Sequence, residues 1–149
     1  MKILVDADGC PVKGIIVSLA KEYKLPVIMF TDTSHVIDDN YSEVVIVGKG
    51  YNSADFALIN HATKGDIIVT QDYGVATMAL SKGAYGINQN GILYTNKNMD
   101  RLLFQRYLSQ KVRKAGGKTS NPKKRKKEDN ERFEKGLRGL IKNIIKDLS

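Results

Sequence analysis

The sequence predicts an α/β protein built around a mainly parallel sheet. Short apolar runs, such as Ile3-Leu4-Val5 and Ile67-Ile68-Val69, alternate along the chain with segments whose apolar residues recur at helical spacing. Parallel strands are covered by helices on both faces, and they therefore appear as continuous runs of Val, Ile and Leu. With 149 residues, of which 42% are apolar, the chain is long enough to bury its own core as one globular unit.

Strands are predicted where such apolar runs end at turn-forming residues. They are expected at residues 2–5, 27–30, 44–47, 66–70 and 84–87. Gly48 and Gly50 end the third of these strands. The Asn90-Gly91 dipeptide favours a tight turn, after which residues 92–94 either pair locally as an edge hairpin or extend the sheet.

Helices are predicted between the strands from apolar spacings of three and four residues. Pro11 suits the first turn of a helix that continues to Tyr23. Ser53 suits the N-cap of the next helix, and Gly116-Gly117 is a typical helix end. The later helices are expected at residues 54–63, 73–81 and 99–112.

Positive charge is concentrated in the last third of the chain. Residues 1–100 have a net charge of −3 and residues 101–149 a net charge of +11, which together make the total of +8. Between Lys111 and Lys127 there are nine Lys or Arg residues and no acidic residue. This distribution indicates a polyanionic partner, for which nucleic acid is the first candidate and an acidic membrane surface the second.

An apolar helical stripe follows the basic stretch and predicts that the end of the chain docks on the rest. Its members are Phe133, Leu137, Leu140, Ile141, Ile144 and Leu148. We therefore expect one domain over residues 1–149, in which residues 1–115 form the α/β core. Residues 116–149 are expected to form a basic loop and a C-terminal amphipathic helix packed on that core.

The composition also indicates where the protein works. Cys10 is the only cysteine, which excludes an internal disulfide and suits a reducing compartment. No apolar stretch approaches the roughly 20 residues that a membrane-spanning helix needs, and the chain does not open with a signal-peptide pattern. We therefore expect a cytoplasmic protein, and of the two candidate partners we favour nucleic acid over a membrane.

Four aspartates occupy related positions in the predicted fold. Asp6 and Asp8 follow the first apolar run, Asp72 follows the run at 67–69, and Asp55 lies at the start of a helix. Open α/β sheets bind ligands at the carboxyl ends of their strands, so these carboxylates are expected to converge there. Hard oxygen ligands select Mg²⁺ or Mn²⁺, and the sequence therefore predicts that these aspartates hold one of these ions.

A divalent ion at this edge would favour hydrolysis of a phosphodiester, since it would activate water and neutralise charge on the phosphate. The simpler interpretation is that Asp55 and Asp72 only cap helices or complement helix dipoles. We favour the shared site because unrelated caps need not converge. Four further aspartates are excluded from the predicted site. Asp32, Asp38 and Asp39 are interpreted as ordinary loop acids, and Asp66 as an acid at the opposite edge of the sheet.

Other polar residues are predicted to support the site. Asn52, Ser53 and Thr70 are expected to contact the ion's ligands or a phosphate. Cys10 is interpreted as a small buried residue, and His35 and His61 lack zinc-type spacing. The predicted nucleic-acid contacts are the basic residues Arg113, Lys114, Lys118, Lys123, Lys124, Arg125, Lys126 and Lys127.

Three motifs resemble those of the YaiI/YqxD family of bacterial proteins. They are Val5-Asp6-Ala7-Asp8-Gly9-Cys10-Pro11, Gly50-Tyr51-Asn52-Ser53-Ala54-Asp55 and Ile68-Val69-Thr70-Gln71-Asp72. The likeness covers nearly the whole chain and includes Ala115-Gly116-Gly117, Pro122 and the segment 128–133. The chain departs from the family pattern at Asn52, where relatives often carry an acid, and at Gln89, where they often carry proline.

The resemblance implies a PIN-like fold, a Rossmann-type three-layer α/β sandwich related to metal-dependent ribonucleases. It assigns the family's acidic positions to Asp6, Asp8, Asp55 and Asp72. The predicted function is therefore a Mg²⁺- or Mn²⁺-dependent nuclease that acts on RNA in preference to DNA.

Two other functions fit parts of the sequence. A non-catalytic RNA-binding protein would keep the fold and the basic segment without turnover. A phosphatase of the haloacid-dehalogenase type would use Asp6, in Asp6-Ala7-Asp8-Gly9, as a nucleophile. That class also needs a lysine and paired acids after a later strand, whereas Asp72 stands alone after its strand. The phosphatase is therefore the third choice.

Overall fold

The computed structural model of the chain describes residues 1–32, 37–48, 53–117 and 124–148. In these segments six strands and five helices follow one another. They are β1 (Ile3–Asp6), α1 (Lys13–Tyr23), β2 (Val27–Asp32), β3 (Glu43–Val47), α2 (Ser53–His61), β4 (Ile67–Val69), α3 (Tyr73–Ser81), β5 (Tyr85–Ile87), β6 (Leu93–Tyr94), α4 (Asn96–Lys114) and α5 (Lys127–Leu148). The α/β class predicted from the sequence is confirmed.

The strands form one sheet in the order β3-β2-β1-β4-β5-β6. Strands β1 to β5 run parallel to one another. Strand β6 pairs antiparallel with β5, with Tyr94 opposite Gly86 and Leu93 opposite Ile87. The sheet is therefore mainly parallel, as predicted. Of the two alternatives for residues 92–94, the hairpin is the one observed.

Helices cover both faces of the sheet, because alternate residues of each central strand point to opposite sides. In β1, Ile3 and Val5 pack into the core shared with α1 and α5, whereas Leu4 packs into the core shared with α2 and α3. The molecule therefore has three layers. Asp6 continues the alternation of Leu4, which directs it toward α2 and α3.

Several expectations about where elements begin and end were wrong. Helix α1 begins at Lys13 with Val12 as its N-cap, so Pro11 precedes the helix and is not in its first turn. Strand β2 extends to Asp32, two residues beyond the predicted end, so Asp32 is a strand-end residue and not a loop acid. Ser53 is the first helical residue of α2 and not its N-cap. The segments that adjoin Asp32 and Ser53, residues 33–36 and 49–52, lie outside the described part of the chain.

Helix α5 docks on the core through its apolar stripe. Five of the six predicted members of the stripe belong to the core that also contains α1, namely Phe133, Leu137, Leu140, Ile141 and Ile144. The sixth, Leu148, is exposed. The guanidinium of Arg125, just before α5, donates hydrogen bonds to Gln89 O (2.7 Å), Asn90 Oδ1 (3.3 Å) and Asn130 Oδ1 (2.7 Å). Arg125, predicted to contact nucleic acid, therefore ties the start of α5 to the β5–β6 turn.

The β5–β6 turn touches α5 closely where Gly91 of the turn meets Gly136 of the helix. A Cβ on Gly136 would lie 2.5 Å from Gly91 O, whereas a Cβ on Gly139, one turn further along α5, would meet nothing within 4 Å. Gly136 and Gly139 both lie within α5, so they differ in the space available to a side chain and not in secondary structure.

Alanine at these two glycines is expected to act in opposite directions. Gly136→Ala should lower the free energy of unfolding by about 2 kcal/mol, because the turn must move away from the helix. Gly139→Ala should raise it by about 0.5–1 kcal/mol through helix propensity alone. Urea unfolding of both variants measures the difference, and a Gly136→Ala variant as stable as Gly139→Ala would contradict the close contact.

Helix α4 is the least buried of the long helices. Met99 is its only buried residue, and it packs with Ala76 and Tyr94. Thr95 caps the helix by accepting a hydrogen bond from the Asn98 N–H, and the Asn98 side chain accepts one from the Thr95 N–H, so the helix begins before the predicted Met99. In the described segments, none of the helices is apolar over a stretch long enough to pass through a membrane.

Candidate functional site

The carboxyl end of β1 is the switch point of the sheet. From β1 the chain continues in one direction to β2 and β3, and then returns to the other side of β1 with β4, β5 and β6. In open α/β sheets the crevice for ligands lies at this point, because the connections on its two sides diverge. Asp6 is the last residue of β1 and stands at this crevice.

Thr70 connects Asp6 with Asp72. The Thr70 hydroxyl donates a hydrogen bond of 3.0 Å to Asp6 Oδ2, and it accepts one of 3.0 Å from the Asp72 N–H. Thr70 follows β4, where the alternation of Ile68 directs it to the same face as Asp6. The other oxygen, Asp6 Oδ1, makes no hydrogen bond within the described part of the chain, so it is available to a ligand.

Asp72 caps α3 and keeps one oxygen free of that role. Asp72 Oδ1 accepts hydrogen bonds from the Gly74 N–H (2.7 Å) and the Val75 N–H (3.1 Å). The capping interpretation is therefore correct for this residue. Capping does not remove Asp72 from the site, since its Oδ2 has no hydrogen-bond partner among the described residues.

Asp8 binds the adjacent strand end with both carboxylate oxygens. Asp8 Oδ1 accepts a 2.6 Å hydrogen bond from the Thr31 hydroxyl, and Oδ2 accepts a 3.1 Å bond from the Asp32 N–H. These bonds hold the loop after β1 against the end of β2. Asp8 thus shapes the crevice, and its oxygens are less available to an ion than those of Asp6.

Asp55 lies in the first turn of α2 and faces a small cavity of about 250 Å³ beside Asp6. Ser53, predicted to support the site, lines the same cavity, whereas Asn52 lies outside the described residues. Asp32 also lines it, although it had been excluded as a loop acid. The rule that selected Asp6 and Asp72 would have found Asp32 had β2 been extended to its observed end.

Mutual repulsion and burial act on these carboxyls. Burial raises the pKa of Asp6 from 3.8 to about 6; the Thr70 hydrogen bond opposes this, and the charges of Asp55, Asp72 and Asp8 add to it. Burial, followed by the charge of Asp72, also raises the pKa of Asp55. The four predicted aspartates therefore interact electrostatically, with Asp6 at their centre.

A wider cleft of about 890 Å³ opens on the other side of Asp6 and Asp8. Its far wall is one face of α4 and consists of Leu102, Gln105, Arg106, Ser109 and Arg113. Of these residues, only Arg113 had been predicted, as a contact to nucleic acid. The sequence does show that residues 102, 106, 109 and 113 share one face of a helix. Opposite the acids, this wall carries two guanidinium groups, with Arg106 5.8 Å from the ring of Tyr73.

The remaining predicted residues are distributed as follows. Lys114, Lys124, Lys126 and Lys127 are exposed, whereas Lys118 and Lys123 lie outside the described part of the chain. Cys10 is buried, and burial raises the pKa of its thiol, which agrees with a structural role. His61 bonds to Ala57 O within α2, and His35 is outside the described residues.

The donor set suits a divalent ion held in part by water and phosphate. In the segments that the structure describes, no three Asp, Glu, His or Cys side chains stand close enough together to hold a metal ion between them. A closed protein cage is therefore not present there. Mg²⁺, however, is usually bound by one or two carboxylates, with the other ligands supplied by waters and substrate oxygens. The unengaged oxygens of Asp6 and Asp72 fit that mode.

The fold and the site define an α/β protein with an acidic cleft at the switch point of its sheet. The chain belongs to the family described as "Uncharacterized BCR, YaiI/YqxD family", whose model matches residues 4–143. The resemblance inferred from the motifs is thereby confirmed.

Curated relatives cover nearly the whole chain. A UPF0178 protein of Ruminiclostridium cellulolyticum is 58% identical over 95% of this chain and 93% of its own length. One from Clostridium kluyveri is 52% identical over 96% of this chain and 94% of its own length. A crystal structure of Rae1 (YacP) from Bacillus subtilis covers 96% of this chain and 99% of its own, at 15% identity and a TM-score of 0.47. A likeness of that level shows neither a shared fold nor a shared activity.

Proposed function

We propose that the protein is a Mg²⁺- or Mn²⁺-dependent nuclease of PIN-like type that hydrolyses phosphodiesters of RNA in preference to DNA. The observation that carries this proposal is the position of Asp6. Its half-buried carboxylate has one unengaged oxygen at the switch point and shares a cleft with two arginines of α4. One wall of the cleft carries carboxylates that can bind a cation, and the other carries guanidinium groups. A phosphate between the two walls would contact both the cation and the guanidinium groups.

Each side chain has a distinct role in this proposal. Asp6 and Asp72 would hold the ion, with Asp55 on the other side of Asp6, and Thr70 would orient Asp6 through its hydrogen bond. Arg106 and Arg113 would bind phosphate oxygens of the substrate. The bound ion would supply Lewis-acid chemistry and charge neutralisation at the phosphate.

A cleavage assay with end-labelled RNA and DNA of one sequence tests the proposal. Cleavage is expected with Mg²⁺ or Mn²⁺ and not with EDTA. Asp6→Asn, which keeps the acceptor for Thr70, should lower the rate about 100-fold or more. Asp38→Asn, at an exposed loop acid, is the matched control and should cleave like the wild type. Cleavage that survives both EDTA and Asp6→Asn would refute the proposal.

A second candidate is a nucleic-acid-binding protein without turnover. It is favoured by one observation, the lack of a three-ligand metal group among the described residues. Binding that persists while neither ion produces cleavage would establish this function instead. Phosphatase chemistry would be recognised by release of inorganic phosphate from small monoesters, without cleavage of the oligonucleotides.

Arg106 is expected to contribute to nucleic-acid affinity through phosphate contact. Arg106→Gln should weaken RNA binding about 5- to 10-fold and reduce the slope of log affinity against log salt by about 1. Arg101→Gln removes the same charge from α4 outside the cleft lining and should change both quantities less. Fluorescence anisotropy over a salt series measures both quantities, and equal slopes for the two variants would contradict the phosphate contact.

A further inference from the structure

The face of α4 that points away from the cleft is apolar and exposed. Leu103, Phe104, Tyr107 and Leu108 are between 43% and 59% exposed, and the described residues do not bury them. The rings of Phe104 and Tyr107 stack on each other with centroids 6.4 Å apart. Single exposed apolar side chains are common on protein surfaces, but a contiguous group of large ones on one helix face indicates an interaction surface.

A charged residue stands at each end of this apolar strip. Asp100 and Lys111 are both exposed, and Lys111 Nζ lies 5.3 Å from the Tyr107 ring centroid. At 100° per residue, the six residues fall within an arc of roughly 140° on α4. We call this set the outer face; its members are Asp100, Leu103, Phe104, Tyr107, Leu108 and Lys111. The opposite face holds Arg106 and Arg113, which line the cleft.

The outer face is complementary to itself. Around a midpoint between residues 105 and 106, Phe104 corresponds to Tyr107 and Leu103 corresponds to Leu108. The same midpoint relates Asp100 to Lys111, which carry opposite charges. A two-fold axis at this point would therefore bring like apolar side chains together and unlike charges together, as an isologous interface requires.

We propose that the outer face of α4 pairs with the outer face of a second copy of this chain, with the two helices antiparallel. Phe104 of each copy would pack on Tyr107 of the other, Leu103 on Leu108, and Asp100 would form an ion pair with Lys111 of the second copy. Nucleic acid fits this face less well, because Asp100 repels phosphate and the leucines offer no stacking surface. An anionic membrane is disfavoured by the same acid.

Pairing would also support the cleft. Helix α4 has one buried residue, Met99, so little else holds its arginine-bearing face opposite the aspartates. A second copy on the outer face would restrain the helix without covering Arg106 or Arg113. The inference is independent of the proposed nuclease function, since it rests on the outer face alone.

Sedimentation of the full chain between about 1 and 300 μM tests the proposal. The paired helices span roughly 17 Å, which is short for a stable interface, so we expect a dissociation constant of about 10 μM. Phe104→Ser should give a monomer throughout this range. Phe104 is 59% exposed, so this substitution should leave the circular dichroism spectrum of the monomer unchanged.

Charge reversal distinguishes the antiparallel pairing from any other association. Asp100→Lys and Lys111→Asp should each weaken the dimer at least about 10-fold, because each places like charges opposite one another. The double variant restores both pairs with opposite polarity and should dimerise again. Lys142→Asp, an exposed lysine on α5, is the charge-matched control and should dimerise like the wild type.

Three outcomes would overturn the proposal. They are a wild-type protein that is monomeric at 300 μM, a dimer that survives Phe104→Ser, and a double charge reversal that fails to restore association. A monomer whose outer face instead binds single-stranded oligonucleotide or anionic vesicles, with loss of binding in Phe104→Ser, would assign the face to that partner.

Discussion

Asp6→Asn is expected to raise the free energy of unfolding at about pH 8, in EDTA, by about 1–2 kcal/mol. The pKa of Asp6 is raised in the folded protein from 3.8 to about 6, so the folded state holds the proton more tightly than the unfolded chain does. Ionising Asp6 therefore costs stability. Asparagine avoids that cost and still accepts the Thr70 hydrogen bond.

The pH dependence of this gain follows from the sign of the shift. Below the ordinary pKa of 3.8, Asp6 is protonated in both states, and the variant and the wild type should be about equally stable. The gain should develop between about pH 4 and pH 6 and stay constant above it. Urea unfolding across this range measures it, with Asp38→Asn as the control for removing an exposed acid.

A divalent ion should reverse the order of stability if Asp6 binds it. Mn²⁺ at about 5 mM is expected to stabilise the wild type and to stabilise Asp6→Asn much less, because a ligand that binds only the folded state raises its stability by mass action. Equal stabilisation of the two proteins would exclude Asp6 as a ligand. An asparagine variant less stable than the wild type in EDTA would show that the carboxylate is already well solvated.

Asp66→Ala is expected to have the opposite effect and to lower the free energy of unfolding by about 3–4 kcal/mol. Asp66 is 2% exposed and lies at the other edge of the sheet, before β4. It accepts hydrogen bonds from the N–H and ammonium of Lys2 and from the N–H and hydroxyl of Thr63, so its removal takes the shared acceptor away from four donors.

The pH dependence of Asp66 also has the opposite sign. Burial alone would raise the pKa of Asp66, but the hydrogen bonds from Lys2 and Thr63 outweigh it and hold the pKa below 3.8. Its stabilisation is therefore present above about pH 4 and is lost as the pH falls. Lys2→Met, at a side chain that is 27% exposed, should cost less because Thr63 still binds Asp66. A loss below 1 kcal/mol for Asp66→Ala would contradict its structural role.

Local sequence patterns predicted the helices and strands well, because the formation of each helix or strand depends mainly on residues close together in the chain. The run Ile67-Ile68-Val69 identified a buried strand, and the stripe from Phe133 to Ile144 identified a docked helix. The end of β2 was missed because Thr31 and Asp32 are polar, although both continue the ladder opposite Ile46 and Val47. Pairing with a neighbouring strand overrides the polar signal at such an edge.

The site could be predicted only in part for a related reason. The positions of Asp6 and Asp72 follow from strand direction, since all parallel strands end at one edge. The roles of the acids depend on hydrogen bonds between distant segments, as when Asp8 binds Thr31 and Asp32. Arg113 had been predicted as a nucleic-acid contact, but Arg106 was missed. The spacing of residues 102, 106, 109 and 113 marks one face of α4, but nothing in the local sequence indicates that this face turns toward the acids.

The sequence by itself determined the α/β class, the edge at which the aspartates gather and the family to which the chain belongs. These depend on apolar runs, on residues that end strands and on motifs, all of which can be identified without tertiary contacts. The tertiary structure alone decided that Asp6 is the central carboxylate, that Asp8 holds β2, and that α4 supplies arginines to the cleft. The physical reason is that strand order and helix packing bring together groups far apart in the chain, and only their proximity creates the electrostatic interaction and the cleft.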